Sequence, residues 1–100
     1  MKKRVKLFWT RQAQEDLRAI RAFIAREAPK TASLFVQRIR LSVNRLRQFP
    51  QSGQMVPEIQ NPEIREVLFG NYRIIYRNLD DQVDILNVYH GHQLLDDPGF

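Results

Sequence analysis

Residues 64 to 77 read IREVLFGNYRIIYR, two runs rich in β-branched and aromatic residues on either side of Gly70-Asn71. That is the signature of a β-hairpin. The pairing of the two runs decides the fold, because a slip of one residue sends every side chain to the opposite face. A two-residue turn at Gly70-Asn71 pairs Phe69 with Tyr72 and puts Arg73 on the face of Ile64 and Leu68. A three-residue loop, 69 to 71, instead pairs Leu68 with Tyr72, Val67 with Arg73 and Arg65 with Ile75. The second register gathers Ile64, Leu68, Tyr72, Ile74 and Tyr76 on one face with Glu66 as its only charge. We expect that register, since the face that must be apolar selects it.

Downstream, VDILNVYH (83 to 90) reads as a further strand after a turn at Asp80-Asp81. The expected pairing sets Arg77 against Asp84 as a cross-strand ion pair, Ile75 against Leu86 and Arg73 against Val88. Arg65, Arg73, Arg77, Asp84 and His90 then share an open face around Val67, Ile75, Leu86 and Val88. Asn87 and Tyr89 turn with Ile85 to the other side.

Upstream, alternation over residues 4 to 9 predicts a short strand, and Thr10 is a plausible helix N-cap. Ala13, Leu17, Ile20, Ile24 and Ala28 lay one apolar stripe along a helix of roughly residues 11 to 28, which Pro29 ends. Thr31 caps a second helix carrying Ala32, Phe35, Val36, Ile39, Val43 and Leu46 on one face, and Pro50 stops it. Leu34 and Leu41 lie beside that stripe, flanked by Arg38 and Arg45, where such residues more often widen the core contact than line a partner groove. The proline-rich run FPQSGQMVPEIQNP, 49 to 62, is an ordered connecting loop.

The order predicts one α+β domain over residues 1 to 100: an N-terminal strand and an antiparallel two-helix hairpin packed on one face of a small, mainly antiparallel four-stranded sheet. The sheet's other face is left to solvent or to function. A chain of 100 residues has room for one core. No stretch has the length and apolarity of a membrane helix, and no targeting segment is evident. The absence of cysteine excludes a disulfide scaffold, and the cytoplasm is the expected location.

The net charge of +5 is uneven: residues 1 to 50 hold thirteen Lys and Arg against three Asp and Glu, residues 51 to 100 three against eight. The basic half suits nucleic acid or an acidic protein, and equally a solvated helical surface.

Arg65, Arg73 and His90 form the expected cationic group. Guanidiniums bind phosphate oxygens bidentately, and a histidine near its ordinary pKa of about 6.5 moves protons at neutral pH. Such a set suits RNA cleavage through the 2′-hydroxyl, and suits equally an acidic partner. His90 and His92 are too few for a zinc site, and the dispersed glycines form no phosphate loop, so no metal and no cofactor are expected.

The combination of WTRQAQEDLRAIRAFIA, LRQFPQSGQMVPE, IREVLFGNYRIIYR and VDILNVYHGHQLL, in that order, resembles the RelE/ParE superfamily of bacterial toxins over about residues 5 to 95. The resemblance implies the toxin of a type II toxin–antitoxin pair, held in a hetero-oligomer by a ParD-like or RelB-like antitoxin. RelE-like members cut messenger RNA on the ribosome, and ParE-like members poison DNA gyrase. Under the nuclease reading Arg65, Arg73 and one of His90 and His92 are catalytic, although Val67 stands where those enzymes carry a second lysine. The helical hairpin, the FPQSG loop and YHGH lean toward ParE and a gyrase poison. The nuclease is the alternative, and a non-toxic binding module of a degenerate pair the third reading. Arg38, Arg45, Leu34, Leu41 and Arg77 are the expected contacts with target or antitoxin.

Overall fold

A computed structural model describes residues 4–91. The chain forms β1 (Lys6–Trp9), α1 (Arg11–Ala25), α2 (Pro29–Asn44), a 3-10 turn (Arg45–Arg47), β2 (Gln54–Met55), β3 (Ile64–Phe69), β4 (Tyr72–Asn78) and β5 (Gln82–His90). The sheet runs β1-β5-β4-β3-β2; β1 lies parallel to β5 and the other pairs are antiparallel. The α+β class holds, with five strands rather than four, because the loop adds β2 at an edge.

Thr10 turns the chain from sheet to helix. Its hydroxyl accepts from the Ala13 amide at 3.2 Å, capping α1, and donates to the Ile85 carbonyl at 2.7 Å. One side chain thus satisfies an orphan helix donor and ties the helix start to β5. α1 ends at Ala25, short of the expected residue 28. Pro29 is the first residue of α2, so Thr31 lies inside the helix and caps nothing. Proline at that position loses no hydrogen bond, since the first amides of a helix have no partner in it.

Ala13 and Leu17 of α1 and Ile39 and Val43 of α2 pack with Leu46 on Ile74, Tyr76, Val83, Ile85 and Val88 of the sheet. A fully buried side chain of the Ile or Leu class contributes roughly 1.5–3 kcal/mol of transfer free energy, so this cluster dominates stability. On the opposite face Val56 and Ile59 of the loop cover Ile64 and Ile75, with Leu86 and Tyr89 alongside. That face, expected to be open, has a second, smaller core under the loop.

The hairpin takes the two-residue register rejected above: Phe69 pairs with Tyr72, Leu68 with Arg73 and Glu66 with Ile75. Gly70 has φ of +57°, and no other residue of the described chain but glycine has positive φ; positive φ at the first turn position alone is the type II′ pattern. The expectation failed because it counted Arg73 as an unpaired charge on the face of Ile64. Glu58 and Glu66 neutralise Arg73 there, and the loop supplies the apolar cover.

Every face assignment resting on that register moves. Arg65, Val67 and Phe69 join Tyr72, Ile74 and Tyr76 on the helix side; Ile64, Glu66 and Leu68 lie with Arg73, Ile75 and Arg77 on the loop side. In β5, Arg77 does oppose Asp84, but an irregularity at Ile75/Tyr76 then pairs Ile75 with Asn87 and Arg73 with Tyr89. Leu86 is the extra residue, a β-bulge. Asn87 and Tyr89 therefore belong to the loop side, and Val88 and His90 to the helix side, the reverse of the expectation.

Candidate functional site

Arg73 is the most heavily bonded charged group among the described residues. Its Nε donates to Glu66 at 2.6 Å, and its two terminal nitrogens donate to both oxygens of Glu58 at 2.7 and 2.9 Å. The Arg73 and Glu66 side chains are 10% and 3% exposed, that of Glu58 22%. Bidentate, charge-assisted bonds of this kind are the strong ones. The Glu58 bonds, ahead of those to Glu66, hold the guanidinium's pKa well above its ordinary value against the opposing cost of burial. Gln54 Nε2 donates to the other Glu66 oxygen at 3.2 Å. Arg73 is positioned from beneath by one carboxylate and occupied from outside by another.

The remaining residues of the expected cationic group lie elsewhere. Arg65 points to the opposite face, where its terminal nitrogen donates to the Gly53 carbonyl at 2.9 Å. His90 pairs with Tyr72 at the end of the sheet, their rings edge to face at 5.5 Å. Arg77 shares the face of Arg73 but stands four residues along β4, roughly 13 Å away at strand spacing, and its Nε reaches Glu63 at 4.0 Å. His92 lies outside the described residues. The structure thus does not gather Arg65, Arg73 and His90 around one point. Among the described residues no three His, Cys, Asp or Glu side chains are grouped to hold a metal ion.

The helical contact candidates do form a surface. Leu34, Arg38 and Leu41 on the outward side of α2, and Arg45 at the start of the 3-10 turn, fall at helical spacing away from the buried Ala32, Ile39 and Val43, and all four are exposed. Leu41 is 69% exposed and borders an apolar groove of about 480 Å³ with Leu7, Trp9, Gln37, Arg40 and Asn44. Arg40 stands over the Trp9 ring, 5.1 Å from its centroid. Sequence reasoning missed Trp9 and Arg40 here, since a strand residue and a helix residue thirty-one positions apart give no periodic signal. It missed Glu58 and Glu66 as partners of Arg73 for a different reason: an acidic residue in a loop shows its partner only once the register is known.

An antiparallel helical hairpin thus lies on one side of a five-stranded sheet and carries a basic and apolar outer band. The family described as "ParE toxin of type II toxin-antitoxin system, parDE" matches residues 7–95, and the chain belongs to it. The Sinorhizobium fredii protein named "Putative toxin Y4kP" is 34% identical over 92 residues, covering 90% of this chain and 92% of that one. Among solved structures, a chain of the chromosomal ParDE system from P. aeruginosa superposes with a TM-score of 0.76 at 26% identity, over 89% of this chain and 98% of that one. A chain of the RelBE2 toxin–antitoxin complex from Mycobacterium tuberculosis shares the fold at a TM-score of 0.60 and 21% identity, over 87% and 98% of the two chains. Among the described residues no helix is long and apolar enough to cross a membrane.

Proposed function

We propose that this ParE-family toxin acts in the cytoplasm by poisoning DNA gyrase and is neutralised by a ParD-like antitoxin bound along α2. The observation that carries the choice of gyrase over messenger RNA is the dispersal of the nuclease group. Phosphoryl-transfer chemistry needs its cations and its proton-moving group within hydrogen-bond reach of one phosphate. Here Arg65 and Arg73 occupy opposite faces, and Glu58 already fills the guanidinium fork of Arg73. Leu34 and Leu41 offer apolar anchor points to an amphipathic partner segment, with Arg38 and Arg45 facing its acidic residues.

Purified gyrase incubated with the toxin and relaxed plasmid should yield protein-linked DNA breaks that disappear when cognate antitoxin is added first. Intact plasmid, together with codon-positioned cuts in messenger RNA on translating ribosomes, would replace this reading with the nuclease.

A further inference from the structure

The loop crossing the second face is held by few groups. On one side Tyr76 binds Pro50 and Gly53, and β2 pairs with β3. On the other, the Asn61 carbonyl accepts from the Ile64 amide and its side chain from the Glu63 amide, both at 3.0 Å. Between these ties residues 56–61 rest on two buried apolar side chains, Val56 and Ile59, and on the Glu58 carboxylate. The cluster beneath them is separate from the one that joins the helices to the sheet.

The Arg73 triad is also divided. Its inner half, Nε on Glu66, is dry; its outer half, the fork on Glu58, meets water. Loss of the outer half leaves Arg73 neutralised by Glu66, so the loop-side face of the sheet keeps a paired charge. The freed Glu58 carboxylate returns to solvent at little cost.

We propose that Glu58 and Arg73 form a latch, and that residues 56–61 are a lid over Ile64, Ile75, Leu86 and Tyr89 that opens as one unit when the latch is released while the helices and main core stay folded. Local opening of this kind follows from a segment with few buried contacts of its own. The lid is a conformational device of the chain itself and is independent of which target the toxin strikes.

Hydrogen exchange on the full chain, read by mass spectrometry, tests it. Glu58→Ala should speed exchange across residues 56–61 by at least about tenfold, the loss expected for a charge-assisted bond, with peptides from α2 and β5 unchanged. Glu58→Gln, which keeps the shape and loses the charge, should give an intermediate acceleration over the same residues. An equal acceleration throughout the chain would show that the lid is no separate unit, and unchanged exchange at 56–61 would show that Glu58 is not its latch. Glu58 is the better position to change, because Arg73→Met leaves Glu66 buried without its cation and unsettles the whole fold.

Discussion

Tyr76 shows how much one side chain organises. Its ring is fully buried in the main core, while its hydroxyl donates to the Pro50 carbonyl at 2.8 Å and accepts from the Gly53 amide at 3.0 Å. Gly53 must be glycine at that approach, since a Cβ would stand 2.6 Å from the hydroxyl and 2.7 Å from the Glu66 carbonyl. This is the physical content of the FPQSG run. Burial pushes the Tyr76 hydroxyl's pKa up, against the weaker effects of Gly53 and Arg65. The unfolded chain therefore loses this proton near its ordinary value of about 10 and the folded chain at higher pH, so the contribution to stability is full below that value and falls above it. Tyr76→Phe should cost roughly 1–2 kcal/mol at pH 8 by leaving two buried backbone groups unpaired. The gap between wild type and variant should narrow in urea unfolding repeated at pH 10.5. A gap that does not change with pH would mean the hydroxyl is equally solvated in both states.

Among the elements, those with local signals were legible. The stripe Ala13, Leu17, Ile20 and Ile24 gave α1, Thr10 its cap, and the three β-rich runs their strands. Thr10→Ala should lower stability by roughly 1–2 kcal/mol, since it removes both the α1 cap and the bond to the Ile85 carbonyl. Thr10→Ser, keeping the oxygen, should recover most of this in chemical denaturation; no recovery would move the effect to the lost methyl group. What was not legible was anything set by a partner distant in sequence. The hairpin register turned on Arg73 finding Glu58, fifteen residues earlier, and the bulge at Leu86 re-aimed Tyr89 and His90. The grouping of Arg65, Arg73 and His90 on one face depended on that register and does not form, whereas Leu34 and Leu41, expected more readily to widen the core contact than to line a partner groove, are exposed.

At the scale of the whole molecule the basic first half is concentrated in the helical hairpin, so antitoxin binding should be salt-dependent. Raising ionic strength from 0.05 to 0.5 M, which shortens the screening length severalfold, should weaken affinity chiefly through slower association. Unchanged affinity would assign the contact to Leu34 and Leu41 alone. The pairing of β1 with β5 has a further consequence. Lys6 lies against Gln82 and Trp9 against Ile85, so among the described residues the first strand made finds its only sheet neighbour in the last. Closing a connection that long is deferred until residues 82–85 have left the ribosome, and contacts of such separation slow folding. A nascent chain interrupted before residue 82 thus carries β1 without its partner β5, and the sheet described above is completed only once residues 82–85 have been made.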